Sequence, residues 1–249
     1  RYTVLLNSDV EVTEGWWQPL LEILEKNPDI TALQPKIRAL RQREKFEYAG
    51  AAGGLLDKYG YPFCRGRLFE EIETDNGQYD DDLADVAWAS GACLAVDTEK
   101  YLALGGLDED FFAHMEEIDL CCRMRGAGYR VCATSRCHVF HLGGGTLPQG
   151  NSRKVYLNFR NNLLLLHKNL PRKKGQKVLF LRRLADTLAF FAFLAKGSIG
   201  DARAILRAHR DFRKMRKKYT EFPAEDKLSS LPGADRMIVI DYYLKRKKK

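Results

Sequence analysis

The fold is decided by residues 2–11, which read YTVLLNSDVE. The first five of these residues are β-prone and mostly apolar, which predicts a buried strand. Two carboxylates, Asp9 and Glu11, follow it. Ligands of open α/β sheets bind beyond the carboxyl ends of the strands, and carboxylate oxygens suit a divalent metal that neutralises a diphosphate. Taken alone, the stretch also fits an Asx turn with a solvated glutamate.

Strands and helices alternate from this stretch to residue 170. Apolar periodicity and Gly or Pro boundaries predict strands over residues 30–34, 92–96 and 129–135, and helices over residues 13–26, 98–104, 116–125 and 152–168. Residues 38–87 are rich first in glycine and tyrosine and then in acidic residues, which predicts a long, partly ordered insertion near a site. The alternation predicts an α/β layer architecture for a first domain, residues 1–170.

A second, basic domain is predicted for residues 171–249. The formal net charge of +8 divides into −6 for residues 1–170, with 19 basic and 25 acidic side chains, and +14 for the remainder, with 22 basic and 8 acidic. An apolar helix is predicted over residues 174–195 and a basic one over residues 200–218. Such a pair is typical of a segment on an anionic membrane surface, where each cation contributes about 1 kcal/mol. A helical hairpin packed on the first domain, with a solvated basic face, is the alternative.

Composition limits the class of protein and its compartment. Hydrophobic content of 45% with 11% aromatic residues excludes a wholly disordered or fibrous chain. No stretch reaches the roughly 18 to 20 uninterrupted apolar residues of a membrane span. The six cysteines lack framework spacing and no signal peptide precedes the first strand, which predicts a cytoplasmic protein associated peripherally with the inner face of the membrane. The basic tail lacks interleaved aromatic residues and a recognised reading motif, so we expect no nucleic-acid partner.

A pair of glutamates opens the helix predicted over residues 116–125. Acidic residues are favoured at a helix N-terminus by the helix dipole, which alone would explain Glu116. Adjacent carboxylates in a partly buried cleft cannot both ionise freely, however, so the pKa of one can rise and suit a general base. Because Glu116 and Glu117 point about a third of a turn apart, we expect one of them to face the reacting atoms.

His141 stands shortly before three glycines, Gly143–Gly145. Glycines let backbone amides approach an anion, so a histidine beside them can complete a metal's ligand set or contact a phosphate. An ordinary loop histidine is the alternative. Cys132, Cys137 and His138 lie nearby, but their spacing with His141 matches neither common zinc-finger pattern, and we expect no zinc site.

Five motifs, in order along residues 2–170, together resemble the catalytic part of family 2 glycosyltransferases. They are the strand and acid loop at residues 5–11 with Gly15 and Trp16, the segment WASGAC at residues 88–93, the acidic motif at residues 106–112 continued by residues 116–120 and Arg123, the sequence HLGGGT at residues 141–146, and YLNFRNN at residues 156–162. This family has a GT-A-type fold and uses nucleotide-sugar donors. The resemblance therefore implies a Rossmann-like mixed sheet, followed here by a helical C-terminal extension.

The resemblance also implies roles for individual residues. Asp9 would hold manganese or magnesium across the diphosphate, with Glu11 as a helper and His141 as a metal or diphosphate contact. Glu117 would be the catalytic base, since it occupies the second position of the family's Glu-Asp pair; because it is a glutamate here, Glu116 stays the alternative. The implied substrate contacts are Trp88, Ser90, Gly91, Asp108, Lys154 and Arg160. Core packing for Trp88, and ordinary helix-surface charge for Lys154 and Arg160, are the alternatives.

The resemblance implies inverting transfer of a sugar from a nucleotide diphosphate to a glycan or lipid-linked acceptor. Family members carry a nucleotide-binding unit before the acid loop, whereas this sequence starts at that loop. We therefore expect a truncated enzyme whose sheet lacks its N-terminal nucleotide-binding strands. This chain alone would then be inactive and bind a nucleotide-sugar poorly, and micromolar binding by calorimetry would contradict that expectation. A non-catalytic membrane-docking or assembly module is the alternative, favoured if Asp9 and Glu117 lie far apart.

Overall fold

The computed structural model describes residues 1–143, 151–226, 228–243 and 245. Its strands are β1 (Tyr2–Leu6), β2 (Val10–Val12), β3 (Ile30–Ala39), β4 (Gln42–Phe46), β5 (Gly54–Leu56), β6 (Pro62–Cys64), β7 (Arg67–Leu68), β8 (Glu71–Ile72), β9 (Ala84–Asp85), β10 (Cys93–Asp97) and β11 (Arg130–His141). Its helices are α1 (Gln18–Lys26), α2 (Thr98–Ala103), α3 (Glu116–Gly126), α4 (Ser152–Asn169), α5 (Arg172–Ala195), α6 (Ile199–Met215) and α7 (Ile238–Tyr243).

The main sheet is mixed and has seven strands. β1, β10, β3, β11 and β2 are neighbours in that order, while β4 pairs with β3 and β9 with β11. β3 and β11 run parallel, and the other pairs of described strands in this sheet are antiparallel. Successive side chains of a strand point to opposite faces, so Ala32 joins the core that contains residues of α3 and α4, and Leu33 joins the core under α1. Helices on both faces make this an α/β layer structure.

The end of β11 brings two predicted site residues together. His141, the last residue of β11, pairs with Val10 in β2, and the backbone N–H of Leu142 donates to the carbonyl of Asp9 at 3.0 Å. The helix predicted over residues 13–26 begins only at Gln18, because residues 14–17 form turns, in which Gly15 has a φ of 67°. The strand predicted over residues 129–135 continues to His141 because β3 and β2 supply partners for it.

Residues 54–72 form a second sheet, in which β5, β6, β7 and β8 are successive antiparallel neighbours. Gly54 in β5 lies directly against the indole ring of Trp88, and a β-carbon there would collide with that ring. Within the predicted partly ordered insertion, residues 54–72 are thus ordered as a sheet. Glycine is typical of loops, but in this strand it serves a close approach between the backbone and an aromatic ring.

The C-terminal residues pack on the first domain. Helices α5 and α6 form a hairpin against α4, and α6 buries Ala202, Ala204, Ile205, Ala208 and Phe212. The segment after α6 returns to the second sheet, where the N–H of Leu56 donates to the carbonyl of Pro232 at 3.2 Å and the N–H of Ile238 donates to the carboxylate of Asp57 at 3.1 Å. The packed-hairpin alternative therefore describes α6, whereas α5 leaves several large apolar side chains exposed.

The predicted α/β class is confirmed, with a mixed sheet followed by a helical C-terminal extension. β1 forms one edge of the main sheet, where Val4 is 40% and Leu6 44% exposed. Among the described residues, no helix combines the length and the apolar character that crossing a membrane requires.

Candidate active site

A cleft of about 2110 Å³ is lined by the ends of β1 and β11, the start of α3, the second sheet, and helices α5 and α7. Seven predicted site residues line it: Asp9, Ser90, Gly91, Glu116, Glu117, His141 and Lys154. Asp9 and Glu117 thus share one cleft. A non-catalytic docking module would be favoured if these two residues lay on distant surfaces, and they do not.

Asp9 and His141 face each other in this cleft. Oδ1 of Asp9 and Nε2 of His141 are 3.2 Å apart, and the other ring nitrogen, Nδ1, lies 3.4 Å from Oε2 of Glu47. Burial alone lowers the pKa of His141, but Glu47 and then Asp9 outweigh it, so the pKa lies above its usual value. Glu47 is buried, and its carboxylate accepts the N–H of Ala49. Sequence reasoning missed Glu47 because it is far from His141 in the sequence. The two residues come together because each is hydrogen-bonded to β3.

The donor atoms of Asp9 and His141 fit a divalent metal. A carboxylate oxygen and an imidazole nitrogen are both common metal ligands. A ligating histidine usually turns its other ring nitrogen to a carboxylate, as His141 does toward Glu47. Within the described ranges, no group of three or more His, Cys, Asp or Glu side chains could hold a metal ion. A metal here would therefore take two ligands from these residues, Asp9 and His141.

Glu11 lies outside this cleft, although the family resemblance makes it a helper of the metal. Side chains alternate along a strand, and Glu11 in β2 points to solvent. Its two carboxylate oxygens accept hydrogen bonds of 2.7 and 2.9 Å from Arg43. The prediction for Glu11 is corrected accordingly, because its carboxylate forms a surface ion pair.

Glu116 and Glu117 are the first two residues of α3. Their Oε2 atoms are buried and have no hydrogen-bond partner in the described part of the chain. Burial first, and then the charge of Glu116, raise the pKa of Glu117 to about 8, although backbone N–H groups at the helix start act against this rise. Burial also raises the pKa of Glu116. A buried carboxylate with such a pKa can exchange a proton near neutral pH.

The backbone at Gly91 lies against Glu117. A β-carbon at position 91 would stand 3.6 Å from Cβ and 4.0 Å from Cδ of Glu117, so a side chain there would occupy space next to this glutamate. The neighbouring Ser90 is buried, and its hydroxyl donates to the carbonyl of Ala49 at 2.6 Å. Ser90 therefore shapes the wall of the cleft, while Gly91 keeps space beside the carboxylate.

Trp88 and Asp108 do not line the cleft. Trp88 is 3% exposed and its Nε1–H donates to the carbonyl of Leu55 at 2.9 Å, so the packing alternative holds. The carboxylate of Asp108 accepts hydrogen bonds from the ammonium of Lys168 and from the hydroxyl of Tyr219, the latter at 2.8 Å. The predictions that these two residues contact substrate are corrected. Trp88 is packed in the core, and the carboxylate of Asp108 pairs with the ammonium of Lys168.

The two predicted anion contacts on α4 differ. Arg160 is buried, and its Nη2 donates to the carbonyls of Asp110 and Phe111 at 2.9 and 2.8 Å, so its prediction is corrected to a structural role. Lys154 lines the cleft, with its Nζ 5.7 Å from the centre of the Tyr48 ring. Its ammonium stands where an anion in the cleft can reach it.

The glycine-rich motif after His141 is described in part. Gly143 lines the cleft with a φ of 65°, in the left-handed region that favours glycine. A β-carbon there would come within 2.7 Å of Oε1 of Glu47, so Gly143 gives that carboxylate room beside His141. Gly144, Gly145 and Thr146 lie outside the described residues.

Comparison with known proteins finds sequences similar to this chain. No protein-family model matches the chain. It is 38% identical over 150 residues to the N-acetylglucosaminyl-diphospho-decaprenol L-rhamnosyltransferase of Mycobacterium tuberculosis. This match covers 56% of this chain and 46% of that protein. It is 28% identical over 155 residues to the low-salt glycan biosynthesis hexosyltransferase Agl10 of Haloferax volcanii. This match covers 57% of this chain and 49% of that protein. The chain thus spans about half the length of these curated relatives.

A solved structure of GalNAc-T7 with UDP, GalNAc and Mn2+ is also similar, with a TM-score of 0.44 and 16% identity, over 64% of this chain and 31% of that one. Neither fold nor function carries over at this level of similarity. The chain is similar in sequence to named glycosyltransferases of glycan biosynthesis.

Proposed function

We propose that this chain is the acceptor-activating part of a glycosyltransferase, which moves a sugar from a nucleotide-diphosphate donor to a hydroxyl of a glycan or lipid-linked acceptor. One observation carries this function: a single cleft holds the Asp9–His141 pair and Glu117, whose Oε2 has no hydrogen-bond partner among the described residues and whose pKa is raised to about 8. The transfer needs positive charge for the leaving diphosphate and a base for the attacking hydroxyl. The side chains of this cleft can supply both.

Glu117 accepts the proton of the acceptor hydroxyl while the hydroxyl oxygen attacks the anomeric carbon of the donor sugar. The bond from that carbon to the diphosphate oxygen breaks in the same displacement, which inverts the configuration. Burial and the charge of Glu116 bring the pKa of Glu117 close to the working pH, where a general base is most effective. Gly91 leaves space beside Glu117 for the hydroxyl.

Asp9 and His141 would hold the manganese or magnesium ion, which when bound stabilises the negative charge of the leaving diphosphate. Two protein ligands leave coordination positions for diphosphate oxygens and water. Glu47 keeps the ring of His141 turned toward Asp9. Lys154 adds a fixed positive charge to the same cleft.

The far side of the cleft supports a lipid-linked acceptor. The Mycobacterium tuberculosis relative is named for a diphospho-decaprenol acceptor. Helix α5 lines this side with apolar side chains, Ala185, Leu188, Ala189, Ala192 and Phe193. A hydrocarbon chain gains free energy by leaving water for such a wall, and from there the attached sugar can extend toward Glu117.

An anionic membrane at its inner, cytoplasmic face is the proposed place of the reaction. Helix α5 exposes large apolar side chains, each 40 to 73% accessible: Phe180, Leu181, Leu184, Leu188, Phe191 and Leu194. A contiguous apolar surface of this kind marks an interaction site. The net charge of +14 over residues 171–249 attracts anionic headgroups. A non-catalytic docking module would use the α5 surface alone and leave the cleft without a role.

The test is sugar transfer by the whole gene product, with a panel of nucleotide-sugars and a lipid-diphosphate acceptor, for the wild type, Glu117→Gln and Glu25→Gln. Glu25 is an exposed glutamate of α1 and controls for loss of a negative charge. We expect Glu117→Gln to lower kcat about 10²- to 10⁴-fold, with unchanged donor affinity, and Glu25→Gln to match the wild type. Wild-type turnover by Glu117→Gln would refute the assignment of the base, whereas no transfer by the wild type with any donor would favour the docking module.

A further inference from the structure

The loop before α3 holds three non-glycine residues in the left-handed backbone region. Phe112, His114 and Met115 have φ values of 63°, 67° and 71°. Such conformations are unfavourable for residues with a β-carbon and persist only where the surrounding structure holds them. The first two residues of α3, Glu116 and Glu117, follow at once, so the path of this loop fixes where their carboxylates project.

Asn161 in α4 is fully buried and contacts this loop through its amide. Its Nδ2 donates to the carbonyls of Phe111, Ala113 and His114 at 2.9, 2.8 and 2.7 Å. One nitrogen therefore joins three carbonyls of the loop. An aliphatic side chain at position 161 would leave these buried acceptors without their donor, which is costly.

Arg160 sets the direction of that amide. Its Nε donates to Oδ1 of Asn161 at 2.8 Å, which turns the amide nitrogen of Asn161 toward the loop. Its Nη2 donates to the carbonyls of Asp110 and Phe111 at 2.9 and 2.8 Å. Two adjacent residues of one helix thus satisfy the carbonyls on both sides of the strained turn.

We propose that Asn161, oriented by Arg160, is a positioning residue that holds the loop at residues 112–115, with its three left-handed residues, in place and so aims Glu116 and Glu117 into the cleft. Its consequence for catalysis rests on the proposed function of Glu117, whereas its hold on the loop does not. An aspartate of the same shape cannot replace Asn161, because a carboxylate has no hydrogen to donate to the loop carbonyls.

The test compares Asn161→Ala with the matched variant Asn169→Ala. Asn169 lies on the same helix, is also buried, and donates to the carboxylate of Asp119 in α3 and to the carbonyl of Leu165. Its removal disturbs the packing of α4 on α3 without touching the loop. Two readouts need no activity: amide hydrogen exchange of residues 112–118, and titration of the Glu117 carboxyl by 13C NMR.

We expect Asn161→Ala to accelerate exchange in the loop and to move the pKa of Glu117 down from about 8, while Asn169→Ala leaves both as in the wild type. In transfer assays, Asn161→Ala should lower kcat about 10- to 100-fold through misplacement of the base, with the KM for donor unchanged. Unchanged exchange and titration in Asn161→Ala, or equal changes in Asn169→Ala, would overturn the positioning role. Arg160→Lys keeps the charge but lacks the planar fork, and it decides the same question if Asn161→Ala does not fold.

Failure of the positioning role can be told apart from failure of the transferase function. A fully active Glu117→Gln enzyme would refute the function of Glu117, and the exchange and titration results for Asn161→Ala would still stand. An inactive Glu117→Gln enzyme, together with unaltered exchange and titration in Asn161→Ala, would refute the positioning role alone.

Discussion

The start of α3 and the outer face of α5 depart from the usual distribution of polar and apolar groups in opposite directions. At α3, the Oε2 atoms of Glu116 and Glu117 are buried and have no partner among the residues that the structure describes, whereas on α5 Leu184 is 52% and Phe191 60% exposed. Buried polar atoms are normally paired, and large apolar side chains are normally covered. Each departure costs stability, and each would be relieved by a ligand: a hydroxyl at the carboxylates and lipid at the helix. In the proposed function, the first region would act on the acceptor hydroxyl and the second would rest on lipid.

The largest effect is expected where the cleft would hold the proposed metal. Asp9→Ala should lower transfer about 100-fold or more, because a bound metal contributes several kcal/mol of charge stabilisation. Binding of Mn2+, followed by electron paramagnetic resonance, should weaken in parallel. Glu11→Gln is the matched control, since Glu11 pairs with Arg43 at the surface. Equal losses of Mn2+ affinity in both variants would return Glu11 to the ligand set and contradict the geometry of β2.

The α5 face provides the next largest effect. The double variant Leu184→Asp, Phe191→Asp should bind anionic vesicles about 10- to 100-fold more weakly in flotation, because each position loses the burial energy of its apolar side chain. Leu102→Asp is the control, since Leu102 is 66% exposed but lies on α2. If vesicle binding changes neither with these substitutions nor with the charge of the lipid, α5 does not bind the membrane and only lines the cleft.

Glu47 allows a finer test of the cleft. Glu47→Gln removes the carboxylate that faces Nδ1 of His141, so it should weaken Mn2+ binding about tenfold and lower the pKa of His141 in an NMR titration. Glu44→Gln, an exposed neighbour in β4, should leave both quantities unchanged. A His141 pKa that does not respond to Glu47→Gln would separate Glu47 from the proposed metal site.

The smallest expected effect concerns the stability of the fold. The pKa of Glu117 is about 8 in the folded chain against a usual value of 4.5, so the folded state binds this proton more tightly. The stabilisation is fully present below the unfolded pKa and is lost as pH rises through the folded one. Glu117→Gln should therefore be about 1 to 3 kcal/mol more stable than the wild type at about pH 9 and equal to it at about pH 4, by urea denaturation. Equal differences at both pH values would place the pKa of Glu117 near its usual value.

The parts of the site that could be predicted from the sequence are those marked by a local pattern. An apolar run ending in acids marks Asp9, and paired glutamates opening a helix mark Glu117. Burial leaves no such local mark, so Trp88 and Arg160 were assigned to substrate although one is packed and the other holds a loop. Glu47 was missed because sheet pairing, which no spacing reveals, brings it to His141.

The fold shows the same limit. The alternation of strands and helices predicts the α/β class, but the second sheet at residues 54–72 is built from segments with the composition of loops. In the tail, apolar periodicity predicts both helices. It does not predict which face each helix buries: α6 covers its small apolar side chains against α4, and α5 exposes its large ones. Such choices depend on tertiary packing, which overrides local pattern.

The most direct test of the central claim is the pH dependence of kcat/KM for sugar transfer by the wild type and by Glu117→Gln. Because the carboxyl must lose its proton before it can act as a base, the wild-type rate should rise with pH and level off above about 8. Glu117→Gln should keep a low rate without this rise. A wild-type rate that is flat across this range, or a Glu117→Gln enzyme with the same rise, would contradict the assignment of Glu117 as the base.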